Sequence, residues 1–173
     1  MSHGGGASHS ESTEFIDIVD EEDNLVDQVS RADMRSRRLR HRSVFILVRA
    51  GDGRVLIHRR SDDKDVWPGW WDIAVGGVVT AGEEYSDAAR RELREEMGID
   101  ATPVEVGRGS YDDEQVSLIA RMYEVTHDGV VAPQDGEVAE FEWVSVPTLE
   151  GLLLSRKFLP DSLALLGQRL FGE

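Results

Sequence analysis

The chain has 173 residues, enough for one domain of ordinary size with short tails, and 40% of them are apolar, enough for a real core. Its 34 Asp and Glu against 19 Lys and Arg give a formal charge of -15, which argues against non-specific binding to nucleic acid or to an anionic membrane surface. There is no cysteine, so disulfides, thiolate nucleophiles and Cys-ligated zinc or iron–sulfur sites are excluded together.

The opening MSHGGGASHS lacks the basic start and apolar core of a secretory signal, and no apolar run approaches the ~20 residues that span a bilayer. Residues 1–13 read as a flexible leader, residues 14–173 as a single domain, and the cytoplasm as the expected compartment. Phe15 to Val19 has strand character, Glu21-Glu22-Asp23-Asn24 makes a turn, and Leu25 to Val29 returns as a second strand. The arginine-rich stretch Arg31 to Arg42 holds a short helix. Val44 to Val48 is continuously apolar, the mark of a strand covered on both faces. Ala50-Gly51-Asp52-Gly53 is a hairpin turn into a strand at Val55-Leu56-Ile57.

Ser61 to Trp70, broken by Pro68-Gly69, reads as a loop, and Trp71 to Val75 as another strand. Gly76-Gly77 and Gly82 bracket a loop leading into a helix with Ser86 as N-cap and Gly98 as its stop. Further strands fall near Val104–Gly107, Val116–Val125 and Phe141–Val144. Helical spacing marks Pro147–Leu154 and Asp161–Phe171, with prolines near both starts. Strands mixed with a few helices, hairpins included, predict an α/β (α+β) fold: a mixed β-sheet sandwiched between α-helices.

The chemistry concentrates in residues 76–99. On a helix turning about 100° per residue, Glu92, Glu95 and Glu96 fall within an arc of roughly 100°. Ala89, Leu93 and Met97 form the adjoining apolar stripe, so the carboxylates sit at the core boundary, where their repulsion is poorly screened. Such a cluster favours a hard divalent cation, and magnesium typically joins one or two carboxylates to substrate phosphates. Gly76 and Gly77 allow close backbone approach, so that a carbonyl can complete the metal shell. An anonymous Glu-Glu pair on a helix is more often a solvated face with arginine partners, here Arg90, Arg91 and Arg94.

That bland reading fails because Gly77, Glu83, Arg91, Glu92, Leu93, Glu95, Glu96, Gly98 and Ile99 fill the pattern G-x5-E-x7-R-E-U-x-E-E-x-G-U, where U is a bulky aliphatic. With residue frequencies of ~5–10%, a chance match has a probability below ~10⁻⁶. Residues 77–99 resemble the box of the Nudix (MutT-like) hydrolases at every defining position.

The resemblance implies a Mg²⁺-dependent (or Mn²⁺-dependent) hydrolase of a small-molecule diphosphate, in a fold that commonly forms homodimers. It points to Glu92 and Glu96 as metal ligands and to Glu95 as a further ligand or a group just behind them. The backbone of Gly77 would complete the shell, and Arg91 and Glu83 would pair to hold the loop against the helix. The acid that activates water is left open among the box glutamates, Glu137, Glu140, Asp113 and Glu114. Around the box, Leu39-Arg40-His41-Arg42, Arg59-Arg60-Ser61 and Trp67 to Asp72 look like proteins related to isopentenyl-diphosphate isomerase. That enzyme needs a catalytic cysteine where this chain has Gly76 and a metal histidine where it has Val78, so isomerisation is disfavoured. A non-catalytic ligand sensor would have no evident need for the crowded glutamates. Arg59, Arg60, His41, Trp71 and Glu137 are candidate substrate contacts. Each has a bland alternative: salt bridge, structural histidine, core packing or loop acid. The Arg35–Arg42 run reads mainly as a solvated, ion-paired segment, and Trp67, Trp70 and Trp71 as packing or as a wall for a flat group.

Overall fold

A computed structural model describes residues 14–172; the expected leader, residues 1–13, lies outside the described residues. The sheet is organised around β3 (His41–Arg49), whose apolar run has side chains on alternate faces. β8 (Ser117–Thr126) lies parallel to it from His41↔Leu118 to Arg49↔Thr126. β6 (Val75–Val78) pairs with its first half antiparallel, Ser43↔Val78 to Ile46↔Val75. β4 (Val55–Arg60) follows across the Gly51–Gly53 turn and carries β9 (Val138–Val144) and the short β5 (Trp71–Asp72), both antiparallel. β7 (Val104–Asp112) flanks β8, and the hairpin of β1 (Phe15–Val19) and β2 (Leu25–Ser30) joins β3 at Ile18↔His41.

Both faces of β3 are covered, as its continuous hydrophobicity requires. Val44, Ile46 and Val48 pack with Ala88, Ala89, Leu93 and Met97 of α2 (Tyr85–Met97). Phe45 and Leu47 face the other way, towards Leu149 of α3 (Val146–Leu152) and Leu166 and Leu170 of α4 (Pro160–Phe171). The expected sandwich of a mixed sheet between helices is therefore the fold observed. A third cluster, Ile16, Ile18, Val29 and Val78, seats α1 (Arg31–Ser36) through Met34.

Three local expectations need correction. The stretch Trp71 to Val75 is not one strand. After Asp72 the chain turns, with Ala74 N–H donating to Asp72 Oδ1 at 3.0 Å, and changes partner from β4 to β3. Gly76 and Gly77 lie inside β6 rather than in a loop, because their backbones still complete the ladder to β3. The N-cap of α2 is Glu84, not Ser86: the turn closed by Glu83 N–H to Thr80 O delivers the chain early, and Glu84 O accepts the first helical bond, from Ala88. The helix stops where expected. Gly98 adopts φ 64°, and the N–H groups of Gly98 and Ile99 bond back to Arg94 O and Leu93 O.

Candidate active site

The phase of α2 is set by four residues with no exposed surface, Ala88, Ala89, Leu93 and Met97. Burying that stripe carries Glu92 and Glu96 down beside it, leaving them 8% and 4% exposed, while Glu95 stays open to solvent. Glu92 fits only because β6 has no side chain beneath it at Gly77. A Cβ on Gly77 would lie 2.4 Å from Glu92 Oε1, and one on Gly76 would lie 2.1 Å from Val44 O. Gly76 N–H instead donates to Glu96 Oε2 at 3.3 Å.

Arg91 ties the loop, the strand and the carboxylates together. It donates to both oxygens of Glu83 (2.8 and 2.9 Å), to Glu92 Oε1 (2.8 Å), to Glu95 Oε2 (3.3 Å) and to Val78 O (3.3 Å). Glu83 also accepts from Thr80 N–H and from its hydroxyl, and Gly82 N–H donates to Asp17 Oδ2. The bonds to Glu83 above all hold the Arg91 guanidinium well above its usual range. Against its burial, the bonds from Arg91 and Thr80 hold Glu83 below the usual carboxylate range.

The two buried carboxylates of α2 behave oppositely. Burial pushes Glu92 up to about 7, with Arg91 opposing and Glu137 and Glu95 adding to the rise. Burial and then the charges of Glu92 and Glu137 push Glu96 well above the ordinary value, despite Lys64 and Arg60. Two neighbouring buried acids, both held above the ordinary carboxylate range, form a site short of positive charge. Among the described residues no three His, Asp or Glu side chains converge closely enough to hold an ion alone. The donor set fits magnesium nonetheless, since that ion takes one or two carboxylates and completes its shell with waters and phosphate oxygens.

These groups border a cavity of about 200 Å³. Glu92, Glu95, Glu96 and Glu137 line it together with Arg31, Arg35, Arg60 and Lys64. Arg60 is anchored by two bonds to Val66 O (3.2 and 3.0 Å), and Lys64 pairs with Glu137 at 3.1 Å. His41, 1% exposed, lines the cavity with its Nδ1 held by Leu39 O at 3.0 Å.

Two expected substrate residues lie elsewhere. Arg59 is next to Arg60 on a strand, so it points to the opposite face, where it pairs with Glu140 (3.3 Å) and Asp62 (3.6 Å). Trp71 packs in the core with Arg156 stacked on its ring at 4.2 Å; Trp67 is the tryptophan that lines the cavity. Of the later acids, Glu137 reaches the cavity. Glu140 is the partner of Arg59, Glu114 is exposed, and Asp113 caps its own turn by accepting from Gln115 and Val116 N–H. Within the Arg35–Arg42 run only Arg35 faces the cavity, whereas Arg38, Arg40 and Arg42 bond outward to Asp113, Glu21 and Asp23. The sequence reading missed Arg31, Lys64, Asp72 and Asp161 as cavity residues. Arg31 and Arg35 carried a usable signal, their four-residue spacing on α1.

The NUDIX domain matches residues 39–164, most of the chain. This chain belongs to the Nudix family. The Nudix hydrolase SCO1686 of Streptomyces coelicolor is 44% identical over 90% of this chain and 87% of its own length. The crystal structure of DR0079 from Deinococcus radiodurans superposes with a TM-score of 0.74 at 30% identity, covering 91% of this chain and 99% of that one. The Nudix domain of Shewanella oneidensis NrtR, crystallised with ADP ribose, shares the fold at a TM-score of 0.59 and 17% identity, over 73% and 84% of the two chains. The chain is accordingly a hydrolase of pyrophosphate bonds, in a family that generally uses a divalent metal such as Mg²⁺. No helix among the described residues is long and apolar enough to cross a membrane.

Proposed function

We propose that this Nudix hydrolase cleaves the diphosphate of a small-molecule substrate, a nucleoside diphosphate derivative, by magnesium- or manganese-assisted attack of water on phosphorus. One observation carries the reading: two buried carboxylates on α2 border the same cavity as three arginines and a lysine. A carboxylate pair that wants a cation, in one cavity with arginines and a lysine that want an anion, is complementary to a metal diphosphate. The ADP ribose bound by NrtR, a relative in fold alone, is a ligand of the same chemical class.

In this reading Glu92 and Glu96 hold the metal with the backbone of Gly77, and Glu95 stands beside them. When bound, the metal supplies charge neutralisation on the phosphoryl oxygens and a lowered pKa for water. Arg60, Lys64 and Arg35 take the phosphate oxygens, and Arg91 fixes the carboxylate of Glu92 from the Glu83 side. In this reading the proton of the attacking water goes to Glu137, the later acid that lines the cavity.

The test is a panel of nucleoside diphosphate derivatives, ADP-ribose included, incubated with Mg²⁺ or Mn²⁺ and resolved by product. Glu96→Gln and Glu92→Gln abolish metal-dependent turnover while circular dichroism stays native. Full activity in Glu96→Gln overturns the site assignment. Sedimentation velocity on the same preparations tests whether the chain forms a homodimer.

A further inference from the structure

The hairpin of β1 and β2 precedes the residues that match the NUDIX domain, and the proposed chemistry gives it no part. Its apolar side needs no further explanation: Ile16, Ile18 and Val29 pack with Met34 and Val78. Its polar side does. Asp17 lies between the two isoleucines on the opposite face of β1, yet it is only 6% exposed. Its Oδ1 accepts from Gln28 Nε2 at 2.8 Å, across a register pair of the hairpin, and its Oδ2 accepts from Gly82 N–H at 3.1 Å. Phe15 O accepts from Ala81 N–H at 2.9 Å, and Asp23 Oδ2, in the hairpin turn, accepts from the Tyr85 hydroxyl at 3.0 Å. The start, the middle and the turn of the hairpin thus each bond to residues 81–85, the segment that leads through Glu83 into α2.

Anchoring the hairpin does not require that convergence. It already joins the sheet through Ile18↔His41 and Val19 N–H to Arg40 O, and Arg42 of β3 donates to Asp23 Oδ1 at 2.7 Å. The segment after Val79 has the greater need. Gly82 adopts φ 78° with nothing within 4 Å of the place a Cβ would take, so packing does not wedge it there. The bonds from Glu83 N–H to Thr80 O and from Thr80 to Glu83 Oε1 close the turn on itself without fixing it in space. The hairpin on Ala81 and Gly82, and Arg91 on Glu83, tie it to the rest of the molecule from two sides.

We infer that the β1–β2 hairpin supports the carboxylates of α2, with Asp17 a positioning residue that acts through Gly82 and the Glu83–Arg91 pair on Glu92. The path is short. One peptide bond joins Gly82 to Glu83, Glu83 Oε2 accepts from Arg91 Nε at 2.8 Å, and Arg91 Nη1 donates to Glu92 Oε1 at 2.8 Å. Without the Asp17 carboxylate, Gly82 N–H exchanges a charged acceptor for water, and the turn that aims Glu83 loosens. Arg91 still holds Val78 O, so Glu92 becomes less well placed without leaving its position altogether. The inference rests on the reading of Glu92 as a metal-holding carboxylate, and its test separates the two.

Asp17→Ala removes the acceptor. Asp17→Asn keeps an oxygen for Gly82, and Gln28 can turn its amide to accept from the new NH₂ group. Val29→Ala loosens the same hairpin through its apolar cluster alone. Two quantities are read on each full-length variant: exchange of the Arg91 Nε–H with water, by NMR on metal-free protein, and Mn²⁺ affinity by titration calorimetry. Asp17→Ala speeds the exchange and weakens Mn²⁺ binding by about tenfold each, the scale of one lost hydrogen bond to a charged group. Asp17→Asn restores most of both, whereas Val29→Ala lowers Tm at least as far and leaves both near wild type. In a Glu83→Ala background Asp17→Ala weakens Mn²⁺ binding no further, because the path is already cut. Tyr85→Phe, which deletes only the hydroxyl bond to Asp23, moves both readings the same way by a smaller factor and stands in if Asp17→Ala does not fold. Wild-type exchange or wild-type Mn²⁺ affinity in Asp17→Ala and Tyr85→Phe, or losses that Val29→Ala reproduces at equal Tm, overturn the inference. If even the wild-type protein binds no Mn²⁺, the metal-holding reading of Glu92 falls. Faster Arg91 exchange in Asp17→Ala then still supports the hairpin's hold on Arg91, and unchanged exchange overturns it.

Discussion

Replacing Gly77 with alanine tests the glycine gap beneath the carboxylates. The added methyl carbon would lie 2.4 Å from Glu92 Oε1 and 2.5 Å from its Cδ, where comfortable non-bonded contact begins at about 3.5 Å. The carboxylate must therefore retreat by about 1 Å, and it is the end of a side chain, so it can. Retreat breaks its 2.8 Å bond from Arg91 and moves the carboxylate proposed to hold the metal. Overpacking of this kind costs about 1–3 kcal/mol of stability, so the protein still folds. A misplacement of about 1 Å at a reacting centre costs on the order of 10²-fold in rate. We expect Gly77→Ala to lose most of its Mn²⁺ affinity by titration calorimetry and about 100-fold in turnover, with a modest fall in Tm. Shortening the ligand should relieve the clash, so Gly77→Ala/Glu92→Asp regains affinity relative to the product of the single effects. Gly76→Ala is the contrast: its methyl would meet the Val44 carbonyl at 2.1 Å, a backbone atom held in the β3–β6 ladder, so folding rather than catalysis fails. Wild-type metal affinity and rate in Gly77→Ala would show that Glu92 does not act from this position.

Arg91→Ala leaves Glu83 and Glu92 without their shared partner and should cost about 3 kcal/mol in urea unfolding; Arg91→Lys recovers little, because one ammonium cannot span the fork. Glu96→Gln removes a group whose charged form burial, Glu92 and Glu137 oppose, so at alkaline pH the metal-free variant should melt higher than wild type while losing its thermal response to Mg²⁺. Burial, with Arg60 and Lys64 nearby, pushes His58 down to about 3. The unfolded chain thus binds that proton first as pH falls from 6.5, and stability drops between pH 6.5 and 3, by about 2–3 kcal/mol for this group between 6.5 and 4.5. His58→Leu should flatten the Tm profile over that window, and an unchanged slope would remove His58 as the cause. Asp161, pushed up to about 7, has the opposite sign: stability declines as pH rises from about 4 to 7, and Asp161→Leu should reduce that decline.

Local pattern was enough wherever neighbours along the chain decide the outcome. The apolar stripe Ala89-Leu93-Met97 fixes which face of α2 is buried, and the spacing of Glu92 and Glu96 then fixes their place at its margin. The unbroken run Val44 to Val48 fixed a strand covered on both sides for the same reason. Tertiary structure alone decided what depends on partners distant in sequence. The parallel pairing of β3 with β8 joins strands about 70 residues apart in the chain, and the alternation of β4 turned Arg60 towards the cavity and Arg59 away from it. A helix start moved from Ser86 to Glu84 because of a turn closed by Thr80. Asp72 and Asp161 carry no shared motif; β5 and α4 meet where the core closes, and only that closure takes both carboxyls out of water together. Periodicity records which face is buried, but it holds no information about what waits on the other side.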